Sequence, residues 1–218
     1  MSQANVPKPE IGGDLVRVHR AITRAVNVAQ EYGTAYATSD YPNPGTQKGY
    51  LTYVRCLAAM LHAHHVTEDE AMFPALRDRL PNAPYEALMA QHSAMVPVLK
   101  GIEAAVARTG DLTGLNPALL RIGELWNTHI ALEETHFGPD AVAASLTMEE
   151  RVRAGQLTAR QAARHQRPLV LLIPFLLYNM EPQDRAVMFQ LMPSFVPVLL
   201  RLFKPRWRRM IPFLLIDR

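Results

Sequence analysis

The chain has 218 residues, 49% of them hydrophobic and 20% charged, which suits one domain with an extension and a sizeable core. A single cysteine, Cys56, excludes an internal disulfide and a thiolate metal cluster, and fits a reducing, cytoplasmic setting. The net charge of +3 is uneven: residues 1–144 carry 11 Lys/Arg against 15 Asp/Glu and residues 145–218 carry 12 against 5, so a mildly acidic front precedes a basic tail.

The N-terminal MSQANVPKPE has no basic start followed by an apolar run, so no signal peptide is expected. No strand pattern stands out, and the chain reads as helices separated by proline and glycine. The first helix is expected from Asp14 to about Tyr36, with Leu15, Val18, Ile22 and Ala29 on its apolar stripe and His19 set into it. After the loop YPNPG (41–45), a second helix is expected from about Lys48 to Leu80. Its stripe is Tyr50, Val54, Leu57, Leu61, His64, Glu68, Met72 and Leu76. PNAP (81–84) breaks the chain before a third helix carrying Tyr85, Leu88, His92, Met95, Leu99, Ile102 and Val106. Pro97 inside it removes a backbone hydrogen bond and should kink it near His92. A fourth helix is expected after the loop near Gly110, capped by Asn116 with Pro117 at its first position. Its stripe is Leu119, Ile122, Trp126, His129, Glu133 and Phe137.

Four apolar stripes thus each turn one histidine inward, and two add a carboxylate four residues on, at His64/Glu68 and His129/Glu133. A lone inward histidine is ordinarily a satisfied core residue, and a lone H-x3-E is often a surface pair. Four helices repeating the device are different, because an up-down-up-down four-helix bundle with these loop positions stacks all four histidines in one layer. Residues four apart share a helix face. Neutral imidazole and carboxylate together suit iron, manganese or zinc, and such a layer without a metal would cost several kcal/mol per unpaired group. His65 and Asp69 share the same spacing but lie ~100° round the helix, which reads as an outer shell or the surface, as do His62 and His136. Tyr53, ~16 Å along the axis from His64, and Tyr50 read as core or channel wall, with Tyr53 an outside candidate for the site. Trp126 reads as core, and His165 is assigned no role.

HAHHVTEDEAMFPAL (62–76) resembles the H-x3-E-E-x-x-x-F-P signature of the hemerythrin-like, or HHE cation-binding, family, and THIALEETHFGPDA (128–141) resembles its second copy. VHRAI (18–22) and AQHSAM (90–95) look like its two single-histidine helices. The resemblance covers about residues 12–144 and implies an all-α, hemerythrin-like four-helix bundle with a non-haem di-iron centre, its irons bridged by oxo, hydroxo or water. It implies His19 and His64 on one iron, His92 and His129 on the other, and Glu68 and Glu133 between them. Oxygen-carrying members add a histidine four residues after the one matching His92; Val96 stands there in this chain. That departure implies an open position, which water, a small ligand or another side chain could fill, and a centre that reacts with oxygen, nitric oxide or peroxide, the alternatives being a non-catalytic oxygen or iron sensor or store, and a structural zinc site. In the second copy Gly138 replaces the aromatic residue before Pro139 and Phe137 is displaced by one, which implies a local change of packing.

Residues 145–218 form a basic, apolar helical extension. Thr147-x-x-Glu150 is a capping box opening a fifth helix through about His165, followed by short helices over 167–215, broken by Pro174 and Pro193 so that no membrane-spanning run remains. Three roles are open to it: a cap on the bundle that controls access to the metals, a basic amphipathic surface for peripheral contact with anionic membrane, or a dimer face, so that the chain is a monomer or a homodimer. No nucleic-acid motif is present, and no nucleic-acid partner is expected.

Overall fold

The computed structural model describes residues 8–108 and 111–216. The start of the N-terminal segment and the loop near Gly110 lie outside them. All regular structure among the described residues is helical. The bundle is made of α1 (Gly13–Ser39), α2 (Pro44–Thr67), α4 (Tyr85–Ala107) and α5 (Leu112–Phe137). Each packs on its neighbours in a closed ring, α1 on α2, α2 on α4, α4 on α5 and α5 on α1. This is the expected up-down-up-down arrangement.

Local chemistry sets the ends of these helices. Asn43 caps α2 by accepting the Thr46 amide, with Pro44 at the first helical position. The expected start of α5 at Asn116 is corrected. The helix begins a turn earlier, where Asp111 accepts the Thr113 and Gly114 amides. The Asn116 amide donates across the bundle to the Gly33 carbonyl instead. α4 runs unbroken through Pro97, which is exposed, as is Ser93, whose carbonyl four residues earlier loses its helical partner.

The long second helix is not uniform. α2 passes at Glu68 into a π-helical turn, Glu68–Met72, before the short α3 (Phe73–Leu76). The Phe73 amide reaches back five residues to the Glu68 carbonyl. Pro74 follows at once. It has no N–H to give and its ring would crowd the carbonyl four residues earlier, and widening the turn ahead of it relieves that crowding. Wide turns of this kind cluster at functional sites.

The described core falls into two apolar clusters. The larger includes Ile22, Leu57, Leu61, Met95, Ile122 and Trp126; the smaller includes Leu15, Met72, Phe73, Leu88 and Phe137. Each histidine of the four stripes falls where its helix crosses from one cluster to the other: His19 between Leu15 and Ile22, His64 between Leu61 and Met72, His92 between Leu88 and Met95, His129 between Trp126 and Phe137. The layer expected from the register is therefore a polar slab between two dry halves.

The remaining helices lie against this bundle. α6 (Pro139–Ser145) turns the chain from α5 to α7 (Met148–His165). Its N-cap, Gly138, must lack a side chain because a Cβ there would strike the Glu134 carbonyl. α7 opens with the full Thr147/Glu150 capping box and packs on α2 and the π turn. His165 bonds Glu70 of that turn at 2.8 Å, the contact that sequence reasoning did not assign. α8 (Leu169–Leu177) packs on α1 and α2, and Leu172, Phe175 and Leu177 join the larger core cluster. α9 (Pro182–Leu191), α10 (Val196–Leu202), α11 (Lys204–Trp207) and a 3-10 turn (Arg208–Phe213) complete the chain. The 3-10 turn crosses α2 at Gly49, where the Arg209 carbonyl occupies the place of a Cβ. Buried Asn179 accepts from both the Tyr53 hydroxyl at 2.7 Å and the Arg24 guanidinium at 2.5 Å. Among the described residues no single helix is long and apolar enough to cross a membrane.

Candidate metal centre

The slab gathers seven donor side chains. His129 and Glu133 are fully buried, and His19, Glu68, His92 and His65 are each no more than 4% exposed. They form two groups whose donor atoms lie within 4.8 Å of one another: His19, His64, Glu68 and Glu133 in one, and His65, His92 and His129 in the other. The carboxylates stand between the groups. Glu133 Oε2 is 3.1 Å from His19 Nε2 and 3.2 Å from His129 Nε2. Glu68 Oε1 is 2.9 Å from His64 Nε2, and its Oε2 is 3.4 Å from His92 Nε2. Each carboxylate therefore touches an imidazole of both groups.

Three of the rings are oriented from behind. His19 Nδ1 donates to Glu134 at 2.8 Å, His92 Nδ1 to Asp69 at 2.9 Å, and His129 Nδ1 to Gln91 at 3.1 Å. An imidazole held through Nδ1 aims its Nε2 inward, the arrangement that supports metal-ligating histidines. The inward atoms are short of partners. Nε2 of His19, His64 and His65 and both oxygens of Glu68 and of Glu133 are buried without a hydrogen bond of good geometry. So many orphaned buried polar atoms aimed at one spot are costly, and cations bonded by those atoms would satisfy them. The residues present thus fit a metal pair.

The charges follow from packing. Burial pushes Glu68 well above the ordinary carboxylate range, and the neighbouring Glu133 charge adds to it. Burial also works against ionised Glu133, but the contacts with His129 and His19 outweigh it and hold Glu133 well below that range. His19 is its counterpart: burial opposes its charge, yet Glu133 and Glu134 raise its pKa to about 9. His64 and His65 are held well below the usual imidazole value, by burial first and then by the neighbouring imidazoles His19 and His92 respectively. His92 is brought down to about 4 by burial and then His129.

All six residues expected to be donors converge. His65 corrects the reading that set it in an outer shell or on the surface. It stacks on His92 with ring centroids 4.3 Å apart and lies 5.2 Å from the His129 ring. The reason is geometric. Two groups side by side across one helix need donors about 100° apart on it, which means consecutive residues, and the adjacent His64-His65 pair was that signal. Asp69 is an outer partner of His92, and His62 is exposed. Glu134 and Gln91, which sequence reasoning did not single out, orient two of the rings. Tyr50 bonds the Ala29 carbonyl and Tyr53 bonds Asn179, so both hydroxyls are committed elsewhere. Trp126 is core, as expected, and also roofs the slab: its ring lies 5.3 to 6.1 Å from those of His19, His64, His65 and His129, and its N–H donates to Thr23. Phe73 and Phe137, stacked at 5.6 Å, form the opposite face.

A family model for the hemerythrin HHE cation-binding domain matches residues 13–141. No curated protein and no solved structure matches the chain significantly. The match spans all four bundle helices and every one of the seven converging donors, and the chain belongs to the hemerythrin HHE cation-binding domain family.

Proposed function

We propose that this protein holds two iron ions in the slab and uses them on a small oxidant or diatomic: oxygen, nitric oxide or peroxide. The observation that carries the reading is the division of seven donors into two groups with each carboxylate touching an imidazole of both. His19 and His64 would hold one ion and His65, His92 and His129 the other, with Glu68 and Glu133 shared. A bound iron pair supplies the redox chemistry such molecules require. The chain's own part is to orient the rings through Glu134, Asp69 and Gln91, and to exclude bulk water with Trp126 on one side and Phe73 and Phe137 on the other.

His65 changes where an exogenous molecule would enter. Val96 would leave a position open on the ion held by His92 and His129, and the His65 ring, stacked on His92 and 5.2 Å from the His129 ring, is the side chain at hand to fill it. The accessible side is that of His64 and Glu68, which border a cavity under the C-terminal helices. A competing reading, a non-catalytic sensor or store, draws on one contact. Glu68 begins the π turn on which α7 packs, so the donors and the C-terminal helices are mechanically joined.

The test is metal analysis and an optical spectrum of the purified protein, followed by substrate consumption. Two irons per chain and sustained loss of added peroxide or nitric oxide are expected. Tightly held zinc without iron would sink the reading. Unchanged substrate levels, with a ligand-dependent change in α7 amide protection, would transfer it to the sensor. His65→Ala is expected to retain the fold but hold fewer than two irons. Full iron occupancy in that variant would remove His65 from the centre.

A further inference from the structure

A cavity of about 320 Å³ lies between α1 and α2 of the bundle and α7 to α10 of the extension. It opens to solvent near Ala159 and Phe195, and the sequence explains why it is not filled. α7 faces it with Thr158, Ala159 and Ala162, where a helix packed on a bundle ordinarily turns large aliphatic side chains inward. The opposite wall and floor are aliphatic and sulfur-bearing, with Met60, Met72, Met188 and Met192 among them, and methionine adapts its shape to a guest. At the inner end stand His64, its side chain 8% exposed, and Glu68, 2% exposed, with His64 Nε2 and both Glu68 oxygens lacking hydrogen bonds. At the outer end Phe195 is 59% exposed.

We propose that this cavity is a binding site for an aliphatic molecule of about eight to ten carbons, seated with its polar end at His64 and Glu68 and its chain running toward Phe195. The length follows from the volume, which has room for about ten groups at the ~30 Å³ that a water-sized group occupies. The chemistry follows from the walls: a mostly apolar cavity accepts apolar guests, and of its polar lining Asp14 and Thr158 are committed to hydrogen bonds within the chain, whereas His64 Nε2 and the Glu68 oxygens at the inner end are not. The carbon chain needs the cavity alone, and its polar end meets His64 and Glu68 in the metal-free protein, so binding is measurable apart from the di-iron reading. If both hold, the carbon chain ends beside the metals and is a candidate co-substrate of the centre.

The probe is 1-octanol, titrated calorimetrically into the full-length protein in metal-free and iron-loaded forms. Saturable binding of one molecule per chain is expected in both, with the negative heat-capacity change of apolar burial. Ala162→Phe, which fills the cavity, is expected to weaken binding at least tenfold, whereas Leu120→Phe, at an exposed α5 position away from the cavity, leaves it unchanged. Should Ala162→Phe fail to fold, Ala159→Phe at the more open edge makes the same measurement. Absence of saturable heat, or equal affinity in the filled and unfilled proteins, overturns the proposal. Octanol binding by a protein that takes up no iron overturns the di-iron reading and leaves this one standing.

Discussion

Replacing Glu133 with alanine is expected to abolish tight binding of both metals and to lower the melting temperature of the metal-free protein by about 10 °C. Glu133 is fully buried and its Oε2 approaches an imidazole of each donor group. Removing it takes the shared carboxylate from the ion pair. It also takes from His19, raised to about 9 against the opposing effect of burial, its largest carboxylate partner and leaves it the half-buried Glu134 and the less direct Glu68. Breaking a buried ion pair from one side costs ~3–5 kcal/mol. Each kcal/mol moves the melting point of a protein of this size by ~2–4 °C. Glu68 limits the damage: its carboxyl is raised by burial and then by the Glu133 charge, so without Glu133 it ionises more readily and takes over part of His19's charge. The loss therefore belongs at the lower end, ~3 kcal/mol. Glu133→Gln keeps the volume and should lose the metals with a smaller drop in melting point. Calorimetry and metal analysis on the two variants separate ligand loss from cavity formation. A Glu133→Ala protein with two metals and an unchanged melting point would contradict the shared-carboxylate role.

Much of this architecture is legible in the sequence, for a reason visible in the core. Each histidine marks the point where an apolar stripe passes from one dry cluster to the other, so four interrupted stripes specify both the helices and the layer. What escaped reading is what periodicity does not encode. The π turn is silent because Met72 and Leu76 remain buried with or without one extra residue per turn. Asn116-Pro117 imitates a helix start, yet the Asn116 amide is drawn to the Gly33 carbonyl and Asp111 makes the cap. His65 was misplaced because a helix was credited with one inward face, whereas α2 is flanked by both donor groups. Tyr53 points to Asn179, a partner 126 positions away that no local pattern announces.

The metal-free protein is expected to be most stable near pH 6.5, with its melting temperature falling on either side. Below that pH the unfolded chain protonates His64, His65 and His92 at ordinary imidazole values, while the folded interior holds all three down. Unfolding then takes up three protons and stability falls with falling pH. Glu68 opposes this. Its raised carboxyl keeps a proton in the fold that the unfolded chain has released above about 4.5, so one proton is subtracted. The three imidazoles outweigh the one carboxyl, so unfolding takes up protons on balance and stability falls toward acid pH. Below pH 4.5 Glu133, ionised in the fold by its histidine contacts, adds a further loss as the unfolded chain protonates it. Above pH 6.5 the sign reverses. His19 keeps its proton in the fold up to about 9, so its contribution, complete below 6.5, is lost as pH rises through that range, and Glu68 loses stability in the same direction. Coordinated imidazoles must be deprotonated, so bound metal should steepen the acid limb and raise stability wherever the ions are held. Calorimetric melting between pH 5 and 9, with and without metal, reads these slopes directly. A metal-free protein whose melting point is flat across pH 5 to 6.5 would mean that the three imidazoles are not buried in the neutral form that this slab requires.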